Sequence, residues 1–179
     1  MITFAPLPKN RTAIVSFGHQ QIGPYCWVGH CKNGIVYYAG QTFKSPAEGI
    51  LKRIKLFSSV VYGSTTATLS VYDFDETTYS WKSKKAEASR SINKAEENQW
   101  ITFEIPNFEI KNHEVFGFKI ACSGAGMLAI AECPWNTPNP YADGVEWIGS
   151  SIAKDGSFYK DFDLAFEAEV ETLSYTKLF

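Results

Sequence analysis

The sequence predicts an all-β fold, a two-sheet antiparallel sandwich, and three observations predict it. Apolar and polar residues alternate at period two in separate short segments, and Gly, Pro, Asn, Asp and Ser bound those segments. Aromatic residues make up 15% of the chain, and such side chains favour pleated, half-buried surfaces.

In chain order the expected strands are Ala13–Phe17, Tyr25–Val28, Ile35–Phe43 and Leu51–Ser58, each short and apolar. Thr66–Asp73 is the clearest, with Ala67, Leu69 and Val71 on one face and Thr68, Ser70 and Tyr72 on the other. Lys85–Ile92 follows. The stretch Ser83–Asn98 is rich in Lys, Glu and Ala, but Ser89, Ser91 and Ile92 break any apolar stripe at helical spacing. It reads as an edge strand followed by a charged turn. Trp100–Ile105, Phe108–Ile110, Val115–Ala121 and Met127–Cys133 come next, and Ser123–Gly126 suggests a hairpin between the last two. Phe162–Val170 closes the set, with Leu164, Phe166, Ala168 and Val170 inward and Asp163, Glu167 and Glu169 outward. The tail Thr172–Phe179 loses the alternation, and with Met1–Asn10 it is expected to be peripheral.

A chain of 179 residues can bury one core, and no repeat, linker or low-complexity tract divides it, so a single domain spanning 1–179 is expected. Its formal charge of -2, with no run of either sign, argues against nucleic acid as a partner. No apolar run is long enough to span a membrane. Met1–Val15 contains Pro6, Pro8, Lys9 and Arg11 and lacks the apolar core of a signal peptide. The four cysteines, Cys26, Cys31, Cys122 and Cys133, read as buried free thiols, with a Cys26–Cys31 pairing across a turn as the alternative.

Gln41, Thr42 and Phe43, followed by Ser45, Pro46, Ala47 and Gly49, resemble the opening of bacterial jelly-roll accessory domains. Thr66–Tyr72, Trp100–Ile105, Phe116–Ile120 and Asp163–Phe166 continue the strand order of those domains, so the resemblance covers roughly Tyr38–Glu171. It is similar to carbohydrate-binding modules and to uncharacterised surface domains alike. The resemblance implies a jelly-roll sandwich, ligand contacts from end loops or a concave face, and an extracellular or cell-surface setting. It names no ligand, because function lives in sites placed on such folds.

The most unusual segment is Cys133–Ser150, CPWNTPNPYADGVEWIGS, which is longer than a hairpin connection needs. Trp135, Tyr141 and Trp147 read as platforms for sugar rings, and Asp143 and Glu146 as hydrogen-bond acceptors. The competing reading folds the same rings into a private minicore. Asp73 and Asp75, with Glu76, form a carboxylate cluster at a turn and are weak candidates for Ca²⁺, the one cofactor left open; an ordinary polar turn accounts for them better. No nucleophile elbow, zinc spacing or phosphate loop occurs.

Three functions follow. The first is a non-catalytic module binding a polysaccharide or cell-surface glycan. The alternative is a structural or self-assembly subunit of a surface or filament, acting as a homo-oligomer. Third is a lyase or hydrolase on the same scaffold.

Overall fold

The computed structural model describes residues 11–174, and they form twelve strands. In order these are β1 (Arg11–His19), β2 (Tyr25–His30), β3 (Val36–Lys44), β4 (Gly49–Tyr62), β5 (Thr65–Asp75), β6 (Ser80–Ile92), β7 (Gln99–Ile110), β8 (Val115–Ser123), β9 (Met127–Ala131), β10 (Glu146–Ser150), β11 (Ser157–Tyr159) and β12 (Phe166–Ser174). One sheet runs β6-β5-β8-β3-β10-β11. In the other, β4 pairs along one edge with β7, and along its other edge first with β12, which carries β1, and then with β9, which carries β2. From β3 to β12 consecutive strands change sheet except in the hairpins β5–β6 and β10–β11, the jelly-roll pattern. Gly29 and His30 of β2 also pair with β3, which ties the sheets together along one side.

Alternation along the strands fills the space between the sheets. Leu69 and Val71 of β5, Phe118 and Ile120 of β8, Ile54 and Leu56 of β4, Ile101 and Phe103 of β7, and Phe166 and Ala168 of β12 are all buried. Phe118 meets Phe166 across the sheets with ring centroids 5.8 Å apart. The expected core is therefore the core found.

Three expectations change. Ser123–Gly126 does not close a hairpin: β8 pairs with β3 and β5, β9 with β2 and β4, and the turn crosses between sheets. Both strands bring apolar residues to the same interior, which a flat hairpin could not do for both sheets. The last strand begins at Phe166, four residues after the alternation does, and the irregular Phe162–Ala165 before it turns Asp163 inward, where it is fully buried. Thr172–Ser174 belong to β12, with the Thr172 hydroxyl donating to the Ala13 carbonyl, whereas Met1–Asn10 and Tyr175–Phe179 lie outside the described residues.

The fold also shows why two of the sequence motifs belong together. Gln41 on β3 is buried; its amide donates to Asp163 Oδ1 at 2.7 Å and its carbonyl oxygen accepts the Leu164 N–H at 2.9 Å. The Thr42 N–H donates to the Val145 carbonyl at 2.9 Å, and the Thr42 hydroxyl accepts the Val145 N–H at 2.9 Å. These contacts pin both ends of the segment 142–163 to the centre of β3. All four cysteines are free, and burial pushes the thiols of Cys26, Cys122 and Cys133 up.

Candidate functional site

Where the inner side of β10 and β11 faces the ends of β2 and β9, the sandwich opens into a pocket of about 370 Å³. Glu146 opens β10, paired with Gln41 on one side and Tyr159 on the other, and its side chain is only 2% exposed. Glu132 follows β9 and is held by its bridge to Leu164. Both carboxyls line the pocket, and Glu146 Oε2 is buried without a hydrogen-bond partner. Burial raises both pKa values, and for Glu146 the negative charge of Glu132 and then that of Asp163 push further in the same direction. With its pKa pushed up to about 9, Glu146 holds its proton at neutral pH. The Cys26 thiol beside the pair donates to the Ile130 carbonyl at 3.7 Å.

Three aromatic rings stand around this pair in water: Trp135 at 74%, Tyr25 at 45% and Tyr159 at 43% exposure. Tyr25 is fixed by an edge contact with Trp27, centroids 5.5 Å apart. The result is a concave site with a protonated carboxyl at Glu146, a second carboxyl at Glu132 and aromatic walls. Cys26, whose pKa is raised first by burial and then by Glu146, stays a thiol and is no nucleophile.

Of the five residues singled out in Cys133–Ser150, the structure brings Trp135 and Glu146 together and sends the others elsewhere. Trp147 neighbours Glu146 on β10, so the pleat turns it to the opposite face, where it is 2% exposed and its indole N–H donates to the Asp155 carbonyl at 2.9 Å. Tyr141 packs edge-on against Phe166 at 5.1 Å and donates to the Lys44 carbonyl at 3.2 Å; burial, and next the Asp143 charge, raise its phenol well above the ordinary range. For these two the minicore reading is the one realised. Asp143 is exposed at a turn and borders a separate small cleft with Glu76 and Tyr79.

Asp75 accepts from the Thr77 and Thr78 N–H groups and the Thr77 hydroxyl and pairs with Lys82, while Asp73 accepts from Ser83 and pairs with Lys85. Their oxygens are taken up by the turn itself. Among the described residues no three His, Cys, Asp or Glu side chains converge as metal ligands, and no helix is long and apolar enough to cross a membrane. Glu132, Tyr25 and Tyr159 escaped the sequence reading, because they lie on three different segments and only the fold joins them.

No family model matches the chain and no curated protein matches it, so neither a bacterial nor a carbohydrate-binding family is shown. Among solved structures, the chain is similar to one from the Gx strain of infectious bursal disease virus, at 13% identity and TM-score 0.32 over 96% of this chain and 46% of that one. It is also similar to a T13 particle of the same virus, at 11% identity and TM-score 0.35 over 97% and 44%. A mutant VP2 protein of that virus in T=1 particles gives 11% identity and TM-score 0.31 over 96% and 43%. The chain thus spans less than half the length of each of these chains.

Proposed function

We propose that the chain is a non-catalytic binding module that takes a neutral, hydroxyl-rich ring, a glycan unit, in the Glu132–Glu146 pocket. The observation that carries this is a pocket lined by two carboxyls, Glu132 and the buried Glu146, beneath three exposed aromatic rings. Sugar C–H faces stack on indole and phenol rings, and sugar hydroxyls both donate and accept, which a carboxyl beside a carboxylate matches atom for atom. An uncharged carboxyl at Glu146 keeps the floor of the pocket from demanding a cation. With the Cys26 thiol held protonated by burial, the site on this reading recognises and does not cut.

The test is a glycan array followed by calorimetric titration of the best neutral oligosaccharide into the wild type and Trp135→Ala. Binding should weaken severalfold in the variant, the loss of about 1 kcal/mol per stacked ring, with the melting temperature nearly unchanged because Trp135 is exposed. No hit on the array, or equal affinity for both proteins, rejects the reading.

One observation favours the alternative of an assembly subunit. Among the described residues β1 pairs only with β12, and its outer edge offers nine residues of backbone, with Ile14 at 55% exposure beside it. Light scattering that shows larger species as concentration rises supports strand addition there; a monomer throughout rejects it.

A further inference from the structure

A second pocket, of about 460 Å³, lies on the outer face of the β6-β5-β8-β3-β10-β11 sheet. It is organised by one row of the sheet: Ser70 on β5 pairs with Lys119 on β8, Lys119 with Gly40 on β3, Gly40 with Trp147 on β10, and Trp147 with Phe158 on β11. Gly40 is what lets the row close. A Cβ there would stand 2.6 Å from the Phe118 carbonyl oxygen and 3.3 Å from the Trp147 ring, so only glycine leaves the indole room to lie flat toward Lys119. Gly117 does the same for Trp81, whose ring would be 2.6 Å from an added Cβ.

Between these rings sits the Lys119 ammonium, 4.3 Å from the centroid of Trp147, 4.7 Å from Trp81 and 5.5 Å from Tyr72. Ring faces attract a cation but accept little of its hydrogen-bonding capacity, and among the described residues Lys119 has no carboxylate partner and no oxygen acceptor. Glu87 borders the pocket but is occupied, accepting from Ser70 and from Lys84, each at 2.7 Å. Lys154 at the rim also makes no ion pair among the described residues. A half-buried cation with idle donors facing open space is one half of an ion pair.

We infer that this pocket binds the oxyanion of an acidic saccharide, a ring-borne carboxylate or sulfate ester, with Lys119 as its counter-ion. The oxyanion takes the ammonium N–H groups, Lys154 adds charge at the rim, and the ring lies against Tyr38 and Tyr72 with the Ser70 side of the pocket supplying hydroxyl contacts. This site is independent of the carboxyl pocket, since Trp147 and Glu146 project from opposite faces of β10.

The full chain is titrated by calorimetry with trigalacturonate, with galactose 6-sulfate, with neutral galactotriose and with sodium sulfate, while tryptophan emission is followed because Trp81 and Trp147 flank the cation. One or both acidic sugars should bind, shift the emission and bind less tightly as salt is raised, and the neutral trimer should not do so. The two acidic probes separate carboxylate from sulfate recognition. Lys119→Met should weaken binding by about tenfold or more, the loss of a charge-assisted hydrogen bond. The exposed Lys154→Met should weaken it a few-fold without touching the cage, and Trp135→Ala should leave it unchanged. Absence of binding by both acidic sugars, equal binding by galactotriose, or unchanged affinity in both lysine variants overturns the proposal. Equal binding by bare sulfate overturns its saccharide part.

Discussion

Replacing Glu146 by Gln tests the retained proton directly. In the unfolded chain a glutamate titrates near 4.5, whereas in the fold burial and the charge of Glu132 hold the Glu146 pKa well above that value. A raised folded pKa gives stability that is complete below the unfolded pKa and is lost as pH climbs toward the folded one, because the unfolded chain releases a proton that the fold retains. One proton corresponds to about 1.4 kcal/mol per pH unit, so between about pH 5 and 7 the pair should cost wild type about 2 to 3 kcal/mol. Asp163 adds to this fall in the same window, since burial raises it from 3.8 to about 7 against the hydrogen bonds from Gln41 and Tyr141. Glu146→Gln removes the pair's share and leaves that of Asp163. Urea unfolding at several pH values should show wild type losing stability on going from pH 5 to 7 and the variant losing less, the gap widening by about 2 to 3 kcal/mol. Parallel curves would mean that Glu146 does not hold its proton in the fold, and the chemistry assigned to the pocket would fail with it.

Two further outcomes follow from packing. Phe118→Ala, at the centre of the interface between the sheets, should lower unfolding free energy by about 3 to 5 kcal/mol in denaturant titration, and a change below about 1 kcal/mol would contradict its burial. Gly149→Ala should place a methyl group in overlap with the Trp147 indole, which Gly40 and Gly156 box in from other sides, and so cost about 1 to 3 kcal/mol and alter the near-ultraviolet circular dichroism. An unchanged spectrum would show that the indole is not confined there.

Most of the fold was legible because one signal carried it. Period-two alternation located β5, β7 and β8 and put Leu69, Val71, Phe103 and Phe118 on the correct face. The same signal could not locate β10 and β11. In β10, Glu146 and Trp147 are both buried, one in each pocket, so no polar face alternates with an apolar one. It also could not say that β8 and β9 lie in different sheets, since a short glycine turn serves a hairpin and a crossover equally well. At the site, Trp135 and Glu146 were visible as members of an unusual loop, but nothing in the sequence singled out Glu132 at the end of the Met127–Cys133 strand. Only the position of β10 beside β2 and β9 makes it a partner. Asp163 was misplaced for a related reason: alternation was extended through Phe162–Ala165, where the chain is irregular and a buried Gln41 amide waits for a carboxylate.

The clamp between Gln41 and Asp163 explains how both pockets come from a single strand. Gln41 fixes Asp163 and Leu164 from the centre of β3, and Thr42 next to it fixes Val145. Pinned at Val145 by one and at Asp163 by the other, the intervening chain must run out and back as the hairpin β10–β11 along the free edge of β3. The pleat then decides the rest. Because Glu146 is in register with Gln41, its side chain goes to the interior beside Glu132, and Trp147, in register with Gly40, must go outside over the glycine that makes room for it. A slip of one residue in this register would expose Glu146 on the cationic face and drive the indole into the carboxyl pocket. The two hydrogen bonds to Gln41 and the two between Thr42 and Val145 exclude that slip, so two adjacent residues of β3, Gln41 and Thr42, position the chemistry on both faces of the sheet.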